Sequence, residues 1–541
     1  MSASGRVLDA AIDDAIAEDG LRGPTEAAHT AQPPAQMSGR PRPFVHDVVL
    51  TLTAEVTVMA SSLAVISILG RWLDAHALSE YMLLRRVLAW LLAGVLAGLS
   101  TALPRYVARA AGLKRGSETT YFSASLVLLF PLCVLFSAAL FAFQQQWASW
   151  LFGERSEAAL VVALAILLSG MVIHRTVYGY FRGLLAMSRA NAMEVLNLAI
   201  VPLVIVALLH RSGSIALMVG VIGGVTLLFG ALFAVPVARH AFESSWRNLT
   251  ASCRELLEYS VPRVPGDVGA AALQAIGPVI AVHYLPLAQV APLLLGLNIL
   301  LVTGYAVGPL GTVLLSKLSM MLGQDRHEEV QTRLRFLVAA ILEISVFACL
   351  QLVVFADVAV RTWVGSRYLA NINVIRLVLL AIPSYLFYVA LRSAIDAVTV
   401  KPCNAMNVLA SLALFLTMTA ISIRFLPRHV LLAAIAASLL VAHILLGWLT
   451  ARTFRRFFAL RTPWKRMAPS LLTALALGGL AFAGRWALGE LQSPLWAAAF
   501  EAALIVAYVA VLAGRGSGWI AYTWNVGLRG RRNWQFGSAR P

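Results

Sequence analysis

The chain has 541 residues, 60% hydrophobic and 13% charged, with a formal net charge of +17 and a mean hydropathy of +0.79. Globular domains carry about 25% charged residues, so this sequence lacks the polar surface that a water-soluble protein of its length must expose. Its solvent is lipid, and a soluble enzyme is excluded.

Residues 1–47 form a separate compositional unit, read as a disordered cytoplasmic tail. Pro24, Pro33, Pro34, Pro41 and Pro43 crowd its second half, and Val7, Leu8, Ile12 and Ile16 mark a short amphipathic stretch before them. From Val48 onward the chain is a succession of apolar runs, each near the ~20 residues that a helix needs to cross a bilayer. Fourteen are expected, at 48–70, 80–104, 120–143, 158–178, 193–209, 215–238, 260–283, 289–316, 336–356, 372–391, 404–426, 430–450, 467–488 and 495–513. In lipid each must satisfy its own backbone, so the fold class is an all-α polytopic membrane protein. The runs group as an N-lobe over 48–238, a cytoplasmic inter-lobe loop over 239–259 and a C-lobe over 260–450. A basic loop over 451–466, a final helix pair over 467–513 and a basic C-terminal tail over 514–541 complete the chain.

The positive charge is spread through the loops rather than gathered in a stripe. With the N-terminus inside, the cytoplasmic segments hold 29 arginines and lysines against eight in the opposite loops, a bias that sets both termini in the cytoplasm. The same count accounts for the basic charge without a nucleic-acid partner. No phosphate-loop lysine and no H-E-x-x-H motif is present, and Cys133, Cys253, Cys349 and Cys403 form no CxxC pair. The sequence therefore implies no cofactor and no metal motif. The loops are too short for an extramembrane catalytic domain, so the chain is not expected to be an enzyme.

Transporters are often built from repeated halves. At an offset of 211 residues the stretch 78–115 falls on 289–326: both begin polar, run apolar through interrupting glycines, and end in basic residues that include Arg105 and Lys317.

Several stretches, in this order, resemble the polysaccharide-unit flippases of the multidrug/oligosaccharidyl-lipid/polysaccharide exporter superfamily. They are ILGRWLDAHALSEY and LSTALPRYVARAAG within 63–112, YGYFRGLLAMSRANAMEVLN at 178–197, EYSVPRVPGDV at 258–268, LSKLSMMLGQDRHEE at 315–329, and the region 363–402. Met82 stands where the family usually has glycine, and Ala281, Val282 and His283 stand where an Asp-Arg pair is expected. The resemblance implies two six-helix lobes around a central cavity with two added C-terminal helices. It also implies transfer of an undecaprenyl-pyrophosphate-linked sugar unit from the inner to the outer leaflet. The partners that follow are that polyprenyl-pyrophosphate-linked glycan, membrane lipids and glycan-polymerising membrane proteins.

Such a cargo needs cations within the spans to meet its phosphates, and an ionisable side chain at mid-bilayer costs about 2.5–3.5 kcal/mol, so each is a candidate site. Arg263 and Asp267, four residues apart on one face of the seventh span, and Glu55, which the repeat places beside Asp267 in the first span, are the leading substrate-binding candidates. A mutually neutralising Arg263–Asp267 pair is the alternative reading. Arg85 and Arg86, about 100° apart on the second span, allow only one of the two to face a cavity squarely. Arg175 and Arg376, near span ends, are expected to reach headgroups, and His443 to be a packing histidine. Prolines 262, 265 and 278, with Gly266, Gly269 and Gly277, interrupt the seventh span. The expected function is an alternating-access flippase for polysaccharide biosynthesis. A cation-coupled multidrug exporter, a lipid II flippase and a non-transporting subunit of a glycan-assembly complex are the alternatives.

Overall fold

A computed structural model describes residues 44–112, 118–241, 246–323, 327–398, 402–458, 464–487 and 494–514. Nearly all of the expected N-terminal tail and of the basic C-terminal tail lies outside these residues, as do Lys114, Arg115, Arg326, Lys401 and Arg461. Among the described residues all regular structure is helical.

In chain order the helices are α1 Phe44–Trp72, α2 Ala75–Leu96, α3 Leu99–Gly112, α4 Glu118–Ala142, α5 Gln144–Phe152, α6 Ala158–Gly183 and α7 Met187–Val195. A π-helical turn Leu196–Ile200 joins α7 to α8 Val201–Leu209, and α9 Ile215–Ala241, α10 Trp246–Ser260 and α11 Val264–Ala281 follow. The rest are α12 Leu287–Gly323, α13 His327–Val354, α14 Ala356–Trp363, α15 Ile372–Leu379 and α16 Ile382–Val398. Last come α17 Cys403–Phe425, α18 Arg428–Phe458, α19 Trp464–Ala487 and α20 Pro494–Gly514. Twelve described helices or continuous helical runs are long and apolar enough to cross a bilayer, and two bent pairs raise the number to fourteen. Every expected run is occupied by helix. Trp72, Trp150, Trp246, Trp486 and Trp496 are exposed near helix ends, Trp448 is exposed within α18, and Phe130, Val134 and Leu135 are exposed along the middle of α4. Apolar side chains exposed along the middle of a long helix are what a multi-pass membrane protein presents to lipid.

Two local features depart from expectation. The inter-lobe segment is not only loop: residues 246–260 form α10, an amphipathic helix with Leu249, Ser252, Leu256 and Ser260 buried and Arg247, Arg254 and Glu258 exposed. A 3-10 turn, Val261–Arg263, then joins it to α11. The second expected run is broken into α2 and α3, bent by 48°, because Ala97 and Gly98 adopt left-handed backbone with φ of 45° and 76°.

By backbone packing the chain divides into one compact unit of residues 1–294 with 399–413, and a second of 295–398 with 414–541. The seventh span therefore groups with the first six. Close backbone approaches explain this. At Gly98 an added Cβ would stand 2.7 Å from the Ser260 carbonyl oxygen, and at Gly153 (φ 86°) the same distance from that of Val282. Two positive-φ glycines thus let backbone touch backbone at both ends of α11, where any side chain would clash.

In the second unit, Asp357 at the start of α14 accepts from two nitrogens of Arg485 on α19, each at 2.5 Å, and pairs with Arg376 of α15 at 3.4 Å. Arg485 also donates to the Val354 carbonyl. Arg376 is therefore turned to an ion pair rather than to headgroups, because a carboxylate within reach holds a guanidinium more strongly than water does. Burial pushes the Asp357 carboxyl up. The hydrogen bonds and charge of Arg485, with its own backbone and Arg376, outweigh that and hold it below its ordinary 3.8. Phe347 stacks on Tyr508 of α20 at 4.2 Å, with Ala474 and Leu512 completing the cluster, so the last two helices are bonded into this unit.

Candidate functional site

The first unit holds two arginine–tyrosine clusters. One is built where α3, α10 and α11 meet. The break at Gly98 swings α3 past Ser260, and this brings Arg105 to the ring of Tyr259, the penultimate residue of α10. The guanidinium of Arg105 lies 4.6 Å from the centroid of Tyr259 and that of Arg263 only 3.9 Å from it. Arg263 also donates to the Tyr259 carbonyl at 2.8 Å. Two like charges over one ring is an arrangement that repels itself, sustained by cation–π attraction of about 0.5–2 kcal/mol each. Tyr106 packs on Tyr259 at 6.0 Å and on Tyr121 at 5.5 Å. Tyr121 donates to Glu255 at 2.6 Å, and Arg109 acts electrostatically on both Tyr106 and Tyr121. The cluster thus joins three arginines to one hydrogen-bonded carboxylate.

The second cluster lies on α1, α6 and α7. Arg175 pairs with the buried Glu194 at 3.7 Å, and Tyr178 hydrogen-bonds Glu194 while Arg175 and Arg182 lie 6.0 and 5.8 Å from its ring. Next to them His174 meets Asn197 at 3.0 Å in the π-helical turn, and Ser61 of α1 donates to the Ala199 carbonyl there at 2.7 Å. π-turns occur often at functional sites, and this one offsets the helix so that Asn197 points back at α6. An apolar layer of Leu103, Phe122, Val177, Phe181 and Met193 holds Tyr178 in place.

Of the expected site residues, Arg263 is half-buried against Tyr259, and Asp267 is exposed one turn further along α11. Glu55 belongs to the other cluster: it is half-buried on α1, with Glu194 and Arg182 as its charged neighbours. On α2, Arg85 is exposed, bonded to Ser62 at 2.7 Å and 5.8 Å from the Tyr81 ring, whereas Arg86 is buried at 5% exposure. The 100° between neighbours on a helix has that consequence.

Sequence reasoning missed Arg105, Tyr259 and the Arg175–Glu194 pair. Arg175 does not reach for headgroups, since the buried Glu194 carboxylate offers a closer partner. A usable signal existed: Arg175 and Glu194 lie near the same end of consecutive antiparallel helices, hence at similar depth. Arg392 lies inside α16, hydrogen-bonded to Tyr388 with Tyr385 and Asp396 in electrostatic range. Tyr178 with Arg182 and Tyr388 with Arg392 are 210 residues apart in sequence, and each arginine contacts its tyrosine four residues back. His443 is fully buried, bonded to the Leu439 carbonyl at 2.9 Å and edge-on to Tyr385, as a packing histidine should be.

The fold resembles that of several solved transporters and flippases. The inward closed conformation of the lipid II flippase MurJ matches with a TM-score of 0.65 at 10% identity, over 86% of this chain and 98% of that one. An inward-facing multidrug resistance MATE family transporter of the MOP superfamily matches at 0.59 and 16% identity, covering 76% of this chain and 98% of that one. The Vibrio cholerae MATE transporter VcmN matches at 0.55 and 16% identity, over 76% and 95%. No protein-family model matches the chain, and no curated protein matches it in sequence.

Proposed function

We propose that this protein is a flippase that carries a polyprenyl-pyrophosphate-linked oligosaccharide from the inner to the outer leaflet of a bacterial inner membrane, for polysaccharide biosynthesis, with both termini cytoplasmic. The observation that carries the reading is the convergence of Arg105 and Arg263 on Tyr259, with Arg109 beside them. A pyrophosphate between leaflets carries at least two negative charges, and arginine matches its oxygens with two parallel donors. Guanidiniums already stacked on a ring lose little side-chain freedom when the anion arrives, so their affinity is not spent on ordering. In the inside-terminus orientation this cluster stands at the cytoplasmic end of α11, where a cargo from the inner leaflet enters. Arg85 and Arg86 lie on the outer half of the second span and serve the later stage of the crossing, while the lipid tail stays in the bilayer. Asp267, one turn from Arg263, compensates it when the cargo has left, and Glu55 does the same for Arg182 in the second cluster.

Alternating access fits the helix breaks at Ala97–Gly98 and Val261–Arg263, which concentrate bending in a few residues. A second reading, a lipid II flippase, is favoured by the likeness to MurJ over almost the whole of that chain. The two differ in the sugar and share the headgroup chemistry. The test is transport in proteoliposomes loaded with fluorescently labelled polyprenyl-pyrophosphate oligosaccharide, with lipid II, polyprenyl monophosphate glycan and cationic drugs as competitors. Competition by pyrophosphate lipids and not by drugs is expected. Drug uptake driven by an ion gradient, with no lipid transfer, would overturn the flippase reading.

A further inference from the structure

We infer that His76, Glu80 and Glu157 form a binding site for a divalent cation of the zinc class, remote in the sequence and the fold from both arginine–tyrosine clusters. Asp74 caps α2, accepting from the Ala77 amide at 2.8 Å, and this cap fixes the first turns of the helix. His76 and Glu80, four residues apart, then share one face. Glu157 ends the 3-10 turn Arg155–Glu157 that leads into α6. The fold brings it over that face: His76 Nε2 lies 3.0 Å from Glu80 Oε1 and 3.4 Å from Glu157 Oε1. The three ligand atoms all fall within 4.8 Å of one another.

These separations are those of hydrogen-bonded ion pairs, and they also lie close to those of a coordination shell. Zinc takes imidazole nitrogen and carboxylate oxygen at about 2.0–2.2 Å, which places neighbouring ligands of a tetrahedron about 3.4 Å apart. The donor set of one nitrogen and two carboxylate oxygens suits zinc and its first-row neighbours, whereas magnesium demands an octahedron of oxygens. The burial of the carboxylates points the same way. Glu80 and Glu157 come from elements 77 residues apart, yet both meet His76 with only 13% and 16% of their side chains exposed. Two acids brought to one imidazole in a partly buried place repel each other unless a proton or a cation lies between them. A divalent ion answers both carboxylates and the imidazole at once. His76 remains 42% exposed, which leaves an entry path and an open fourth position for water. Bound there, the ion staples the start of α2 to the turn before α6. No motif marks the site because its ligands come from distant segments.

The experiment uses the full-length protein in detergent, its affinity tag removed and its metal stripped with a chelator. Co2+ is titrated while the visible d–d bands of a tetrahedral site are followed, Zn2+ is added in competition, and the melting temperature is recorded with and without Zn2+. One equivalent bound, a Zn2+-dependent rise in melting temperature, and no such rise with Mg2+ are expected. Glu157→Gln and His76→Gln should each weaken binding at least tenfold while eluting as the parent does. Absence of tetrahedral Co2+ bands in the unmodified protein would show that the two acids share a proton instead. Binding of equal affinity in both variants would place the ion elsewhere. Either result overturns the site, whether or not a variant folds poorly.

Discussion

Arg263 gives the most direct access to the cationic cluster. Its guanidinium is held by the Tyr259 carbonyl at 2.8 Å and by the ring at 3.9 Å, leaving the remaining donors of the fork available to an anion. If it meets the pyrophosphate, Arg263→Ala removes a charge-assisted bond of about 1.5–3 kcal/mol, a ten- to hundredfold loss of apparent affinity. Arg263→Lys keeps the charge but loses the fork and the stacking, and should recover only part of the loss. The structural alternative is that Arg263 exists to balance Asp267. Arg263→Ala would then harm the protein by leaving an acid without its counter-charge, and Asp267→Asn added to it should restore function. The assay is transfer of labelled pyrophosphate-linked oligosaccharide in proteoliposomes, with protein amount and elution profile recorded for each variant. Full recovery by the double variant would refute the phosphate-binding argument. Continued failure at normal protein levels would support it, and Arg105→Ala should then show a loss of similar size.

Other expectations are as concrete. Arg175→Ala leaves the buried Glu194 without its cation and should cost about 3 kcal/mol of stability, much of it regained on adding Glu194→Gln, as read from thermal unfolding in detergent. Asp357→Asn leaves Arg485 and Arg376 facing a neutral side chain and should cost about 1–3 kcal/mol. Because the folded Asp357 value is depressed, its contribution is complete above the unfolded 3.8 and fades as pH falls through the lower folded value. The melting curves of parent and Asp357→Asn should therefore converge at strongly acid pH, and a constant gap would contradict the pairing. Gly98→Ala requires a left-handed alanine, at about 1–2 kcal/mol, and drives a methyl towards the Ser260 carbonyl, so lowered stability and slowed transport are expected. Reporter fusions after Arg115, Arg254 and Arg461 should report cytoplasm, and fusions within 145–156 and 358–370 the outside; inversion at any two would overturn the orientation.

The spans were legible from the sequence because lipid imposes a single rule on every segment. A backbone in hydrocarbon must bond to itself, so about 20 apolar residues mean a helix wherever they occur. Composition and hydropathy accordingly located all fourteen runs, and a physical reading of His443 needed no coordinates. The interior of the spans obeys no such one-dimensional rule. Whether an arginine meets an acid, an aromatic ring or a headgroup depends on which helix stands beside it, and that is fixed by close contacts between distant residues. Gly98 on Ser260 and Gly153 on Val282 decide that α11 packs with the first unit, and so that Arg105 and Arg263 share Tyr259. Glu55 is half-buried on its helix, and its charged neighbours are Glu194 and Arg182 rather than the Asp267 that the repeat offset suggested. Hydropathy counts each residue's own cost of leaving water, whereas an ion pair or a shared ring is a property of two or three residues at once. That cooperative part of the energy resides only in the tertiary structure.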